Sequence, residues 1–393
     1  MNFQKSENNF SNGSSLALLF TRDFSLLFIA HLFFGLALWP YVLFPAHLLN
    51  LGADPFSIGL FMSVASLSGV LVRPFVGRLM DRRGRQGYLL IGGTLFIITH
   101  LLYLLPNRLG SALFSIRLLH GCAVGILMAT FFTLAADMSY PSRRVSGIAL
   151  FGISGQLSGA IGVTLAEKTV SLGGYRYLFI LCATLSGISL LFSYFVREPK
   201  DERRETPLEP FWERAGRRPM RIPFLTTFLF SLGLTSFMVF LKPYAQSVLL
   251  GPVSYFFLPC TVSAIGVRLI GGNYTERYGR ERSLTFALCS LAFGITMIVL
   301  APNRYGLIVS GIFCGLGHGL IFPILSAIII SRGGESYRGG FMTLYTMVFD
   351  LGGLFGSLLF GFIVKGFGYM AIYFTAATLV FTGVVAFRYF DRA

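Results

Sequence analysis

The sequence predicts an all-α integral membrane protein, with twelve transmembrane helices in two pseudo-symmetric six-helix bundles. Three observations predict it. Apolar runs of about 20 residues, enough to cross a hydrocarbon core as a helix, recur from end to end. The second half of the chain echoes the first, and basic residues collect in alternate connecting segments. Of 393 residues, 54% are hydrophobic and 12% charged, with a mean hydropathy of +0.70. Soluble domains are about 25% charged, so too little polar sequence is present to cover a water-soluble core. In lipid each backbone amide must be satisfied internally, which selects helices. The 45 glycines suit close helix contacts there.

The elements follow in order. A polar tail, 1–23, contains no basic, apolar and cleavage-site succession, so no removable signal peptide is expected. Spans are expected near 24–49, 56–78, 87–105, 110–136, 146–168 and 175–196, forming a first bundle over 24–196. A polar segment, 197–221, mixes acids, bases and prolines and reads as a cytoplasmic linker with a short surface helix around 208–216. The second bundle, 222–388, has spans near 222–248, 252–275, 283–301, 304–331, 339–364 and 368–388, followed by a short tail, 389–393. Proline and glycine mark joints such as "LGADP" (51–55) and "LLGP" (249–252).

Lysine and arginine set the sidedness. With the N-terminus inside, the outer loops hold only Arg108, Lys168, Arg176, Arg304 and Lys365, and most of the 32 basic residues fall on the inner side. Both termini are therefore expected to be cytoplasmic, in the inner membrane of a bacterium. The net charge of +15 is mainly this topology signal. It attracts anionic membrane lipid, and no soluble face is left to bind nucleic acid. The five cysteines, Cys122, Cys182, Cys260, Cys289 and Cys314, are odd in number and lie in apolar runs, which suggests neither a disulfide framework nor a metal site.

The echo is specific. "VRPFVGRLMDRRGR" (72–85) matches "VRLIGGNYTERYGR" (267–280) at an offset of 195, aligning Arg73 with Arg268 and Asp81 with Glu276. "QLSGAIG" (156–162) matches "DLGGLFG" (350–356) at 194, aligning Gln156 with Asp350. "HG" at 120–121 matches "HG" at 318–319 at 198, which pairs His120 with His318. Repeated halves of this kind place a substrate site near the bilayer midplane, between them.

With these motifs the chain resembles the major facilitator superfamily over its whole length. Residues 77–85 fit the family loop G-x-L-x-D-R-x-G-R, and "RLLHG" (117–121) resembles R-x-x-Q-G with His120 in place of glutamine. "GISGQLSGAIG" (152–162) keeps the glycine spacing of the antiporter signature in span 5 but lacks its proline. The motifs are most similar to the drug:proton antiporter branch. The resemblance implies a cytoplasmic latch between the halves, formed by Gly77, Asp81, Arg82, Gly84 and Arg85 with Glu276, Arg277, Gly279 and Arg280.

Ionisable residues inside spans are costly and mark function. Asp350 in "MVFDLGG" is either a structural acid paired with an arginine or backbone amides, or a proton carrier. His31, His120 and His318 are further proton-coupling candidates, because imidazole titrates near neutrality. Arg117, Lys242, Gln156 and the same histidines are substrate-cavity candidates, with an ion pair as the alternative for Arg117 and snorkelling for Lys242. Arg73 and Arg268 read as arginines snorkelling inward. No G-x-x-x-x-G-K loop and no hydrolase motif is present, so neither an ATP-driven pump nor an enzyme is expected. The reading is a monomeric, cofactor-free secondary transporter driven by the proton gradient. It exports a small amphipathic compound; the alternative is an importer or facilitator of a small anionic solute.

Overall fold

The computed structural model describes residues 21–139, 144–198, 216–334 and 338–391, with side chains throughout except at 78, 81, 82, 144–149, 270–278 and 338–339. Span 1 is Arg22–Leu38, a tight turn Trp39–Leu43 and Phe44–Asn50. Span 2 is Pro55–Arg83, span 3 Gln86–Leu102 and span 4 Ser111–Asp137. Spans 5 and 6 run as one helical stretch, Arg144–Tyr194. The stretch breaks at Gly173–Gly174, where Gly174 has φ +69°, a conformation that favours glycine. Span 7 is Arg218–Ser247, span 8 Ser254–Tyr278, span 9 Arg280–Leu300, span 10 Arg304–Gly333, span 11 Arg338–Phe367 and span 12 Tyr369–Phe390.

Among the described residues, nine helices are long and apolar enough to cross a bilayer. One of them, Leu150–Tyr194, has 45 residues and serves for two crossings; the shorter Gln86–Leu102 and Ser254–Leu269 complete the twelve. The expected surface helix near 208–216 lies outside the described residues. Start signals are visible at several ends. Asp54 accepts from Ser57 N at 2.8 Å ahead of Pro55, and Asn303 accepts from Tyr305 N and Gly306 N at 3.0 Å.

Packing makes the repeat concrete. A Cβ on Gly121 in span 4 would strike the Ala65 carbonyl and the Ser68 hydroxyl in span 2; one on Gly315 in span 10 would strike the Cys260 carbonyl and the Ser263 hydroxyl in span 8. One turn on, Gly125 packs against Gly69 and Val72, and Gly319 against Ala264 and Val267. The loops after spans 2 and 8 share a left-handed glycine, Gly84 at φ +86° and Gly279 at φ +83°.

This register corrects one expectation. Gly121 is the mate of Gly315 and Gly125 of Gly319, so His120 corresponds to Cys314 and His318 to Val124. The two histidines stand one helical turn apart in the repeat. Backbone approach at small residues fixes the register, and the identity of "HG" at both places does not.

The halves meet through spans 2 and 11 and through spans 5 and 8. On the side that the charge distribution assigns as outer, Gly59 lies against the Ser357 carbonyl and Gly361, and Trp39 of span 1 stands edge-on to Phe257 of span 8.

Candidate functional site

The midmembrane interface between the halves is built around two arginines at equivalent places. Arg73 of span 2 donates through Nη1 to the Asp350 carboxylate of span 11, about 18 Å from that span's inner end. Side-chain exposures are 17% and 25%, so the pair is largely out of water yet reachable. Asp350, solitary in sequence, is thus the paired acid, and its partner belongs to the other half. Arg73 does not snorkel.

Arg268 of span 8 occupies the mirror position. Its Nε donates to the Gly319 carbonyl at 3.1 Å. Its Nη1 reaches the other half, where a Cβ on Gly152 of span 5 would lie 3.8 Å away. The mate of Asp350 on span 5 is the half-buried Gln156, one turn beyond Gly152. Among the described residues, no carboxylate pairs with Arg268. His318 and Tyr345 lie within electrostatic range of it.

The outer side is tied across the halves twice. Glu167, at the end of span 5, accepts from Lys242 Nζ of span 7 at 2.7 Å. It also accepts the amides of Val253 and Ser254 at the start of span 8, each at 2.9 Å. A carboxylate at a helix N-terminus is favoured by the dipole and the free amides. Lys242 is therefore an interdomain tie, neither snorkelling nor free for substrate. The second tie joins Lys365 Nζ to Asp54 at 2.8 Å, with side chains 60% and 40% exposed. Asp54 lies outside the spans, and its hydrogen bonds to Lys365 and Ser57 lower its carboxyl to about 2.

The other candidates lie inside one half. Arg117 is buried in the first bundle, donating to the Phe61 carbonyl at 3.1 Å and to Met62 Sδ at 3.4 Å, with its guanidinium 4.7 Å from the Phe44 ring centroid. His120 is enclosed by the rings of Tyr41, Phe96 and Tyr103. His31 is boxed by Phe34, Phe131, Phe132 and Phe151. The single hydroxyl proton of Ser154 goes to the Phe151 carbonyl, so His31 Nδ1–H donates to Ser154 Oγ at 2.6 Å. Its Nε2 is left buried without a partner. His318 packs near Phe230 in the second bundle. Among the described residues, no cluster of three or more histidines, cysteines and acids could hold a metal.

In the loop motif, the side chains of Asp81, Arg82, Glu276 and Arg277 lie outside the described residues. Arg85 is described, and its partners differ from a latch between halves. It pairs with Asp137 of span 4 at 2.9 Å and with Glu198, just after span 6, at 3.4 Å, neither of them from the second bundle. Glu198 also accepts the amides of Arg85 and Gln86, capping span 3. A Cβ on Gly84 would press on the same carboxylate, and Gly77 has open space beside it. In the second half Arg280 is exposed at the start of span 9, and Arg332 joins the ends of spans 10 and 12 by a two-pronged pair with Asp391 at 2.6 and 2.7 Å.

The family model of the Major Facilitator Superfamily matches residues 24–304 and again 261–393, overlapping through spans 8 and 9. The chain belongs to this superfamily. It is 26% identical over 333 residues to the MFS-type transporter YwfA of Bacillus subtilis, covering 81% of this chain and 80% of that one. It is 24% identical to sugar efflux transporter A of Escherichia coli over 342 residues (84% and 86% of the two chains). It is 24% identical to quinolone resistance protein NorA of Staphylococcus aureus over 368 residues (89% and 92%). The nucleoside transporter NupG shares the fold at a TM-score of 0.73 and 16% identity, over 94% of this chain and all of that one. The human organic anion transporter MFSD10 does so at 0.69 and 19%, over 93% and 98%. The protein is a multi-pass membrane transporter, and its relatives are transporters rather than enzymes.

Four residues of this site escaped the sequence reading. Glu167 and Glu198 sit at span ends, where an acid looks like ordinary loop polarity. Arg73 and Arg268 looked like inner-side anchors, because distance along a helix does not tell which neighbour a long side chain meets. The repeat carried a usable signal: aligning Gln156 with Asp350 beside Arg268 with Arg73 marks one complete charge pair and one incomplete one.

Proposed function

We propose that the protein exports a small amphipathic compound from a bacterial cytoplasm in exchange for protons, by alternating access, with both termini on the cytoplasmic side. The observation that carries this reading is the Arg73–Asp350 pair. It joins the halves inside the membrane, where a carboxylate attracts a guanidinium only while ionised. A proton taken up by Asp350 removes that attraction and frees the halves to separate on the inner side. The ties at Glu167–Lys242 and Asp54–Lys365 hold the outer ends of the halves together. Acid-containing ties at different depths give a proton-driven rocking cycle contacts to break in turn. Two relatives, a sugar efflux transporter and a quinolone resistance protein, support the outward direction. No cofactor is needed, since the proton gradient supplies the energy, and one chain supplies both halves of the site.

The test is proton movement in proteoliposomes containing a pH-sensitive dye, challenged with amphipathic compounds. Wild type is expected to move protons on substrate addition. Asp350→Asn is expected to lose proton movement while retaining substrate binding and exchange. Full proton coupling in Asp350→Asn would overturn the assignment.

A further inference from the structure

We propose that the transported compound carries an anionic group and that Arg268 is its anchor; the inference rests on the transport reading above and names the substrate class. The argument begins with charge inside the membrane. Arg73 is matched by Asp350 and Lys242 by Glu167. Arg117 and Arg268 have no carboxylate among the described residues. A guanidinium cannot shed its proton, and an unpaired charge in a low-dielectric interior is expensive.

The two unmatched arginines differ in placement. Arg117 is 3% exposed, sealed within the first bundle under the Phe44 ring and bonded to the Phe61 carbonyl. Arg268 is half-buried and extends from one half towards the other, facing Gly152. Only Arg268 lies where a substrate held between the halves would pass. Pseudo-symmetry then says what is missing. At the equivalent crossing an aspartate from the opposite half meets the guanidinium through Nη1; here the corresponding residue is Gln156, which supplies no charge. Gly152 keeps the space in front of Nη1 free of side chain.

An apolar surface for the rest of such a molecule stands beside it. Phe322 contacts Tyr345 at a centroid distance of 4.9 Å and Phe349 at 5.7 Å, and Phe349 continues to Phe230, which neighbours His318. Phe322 and Phe349 are half-buried. A carboxylate, sulfonate or phosphate ester on a compact apolar body fits this combination of one cation and a row of rings. When bound, it completes the second interdomain pair as Asp350 completes the first. Substrate occupancy and Asp350 ionisation would then close equivalent contacts on the two crossings of the interface.

The test uses purified full-length protein and matched probes. Phenylalkyl carboxylates and sulfonates of increasing chain length are compared with the primary amides and amines of the same bodies, by equilibrium dialysis and thermal shift. Anions are expected to bind at least about 30-fold more tightly than their neutral or cationic counterparts, the scale of losing one partner of a buried charge pair. Arg268→Gln is expected to abolish that preference, and Arg268→Lys to keep part of it. Gln156→Glu places a carboxylate at the position equivalent to Asp350; it is expected to pair with Arg268 and to weaken anion binding by a similar factor, with Arg268 itself intact. It serves independently if Arg268→Gln fails to fold. The inference is overturned if amines or amides bind as tightly as anions, if no anion of the series binds, or if Gln156→Glu leaves anion affinity unchanged. The two readings fail separately. Amine binding with proton movement leaves proton-coupled export standing without the anionic substrate. Arg268-dependent anion binding without proton movement leaves the anion site standing without proton coupling.

Discussion

Replacing Asp350 by asparagine should destabilise the midmembrane interface between the halves by an amount that a second replacement restores. Removing one partner of a fully buried ion pair destabilises by about 3–5 kcal/mol. Arg73 and Asp350 keep 17% and 25% of their side-chain surface exposed, so water can partly solvate the survivor. A value of about 2–3 kcal/mol is expected for Asp350→Asn, which strands a guanidinium that cannot neutralise itself. At about 2 °C per kcal/mol for a chain of this size, the melting temperature should fall by about 5 °C. Arg73→Gln should cost less in acid than at neutral pH, because the stranded carboxylate can take up a proton. The double variant Arg73→Gln/Asp350→Asn should recover to within about 2 °C of wild type, a coupling of about 2 kcal/mol across the halves. The assay is thermal unfolding in detergent at pH 5.5 and 7.5, with all four proteins side by side. Single variants that melt with wild type, or a double variant that falls by the sum of the singles, would refute the argument that this contact joins the halves.

Three further outcomes follow from the same interface. Glu167→Gln removes the charge that Lys242 and the two span-8 amides share, so the outer ends should part more readily; in an Asp54→Cys/Lys365→Cys background, disulfide cross-linking yield should drop several-fold, and an unchanged yield would count against an outer tie. Gly59→Leu places a side chain against the Ser357 carbonyl and Gly361 at the crossing of spans 2 and 11, so transport should fall at least about tenfold with expression retained; normal transport would show that this close approach is dispensable. The Asp54–Lys365 tie should weaken in acid: Asp54 is lowered to about 2, so its contribution is complete above the ordinary carboxyl value near 4 and is lost as pH falls towards 2. Exposure and screening limit that contribution to about 0.5 kcal/mol. Spin-label distances between the outer ends of spans 2 and 11 should lengthen over that window in wild type and stay flat in Asp54→Asn.

How much was legible can be seen residue by residue. Asp350 stood out because an acid in an apolar run has few reasons to be there, but its partner lies on a helix that sequence order does not place beside it. Lys242 stands out for the same reason, but its partner Glu167 sits at a span end, where an acid looks unremarkable. The histidine pair was misaligned because two identical dipeptides outweighed the packing of Gly121 and Gly315, which only backbone contact reveals.

Taken by itself, the sequence determined that the chain crosses the membrane twelve times and that its halves share one design. Those are properties of local composition and of periodicity along the chain, which hydropathy and repetition record directly. Only the tertiary structure decided which charges meet. It joined Arg73 to Asp350, tied Lys242 to Glu167, turned Arg85 back into its own bundle and left Arg268 facing Gly152 without a carboxylate. The physical reason is that an ion pair depends on side chains from helices far apart in the chain arriving within a few ångströms. Where each helix stands, and how it is rotated, is fixed by small-residue contacts that no single stretch of sequence contains.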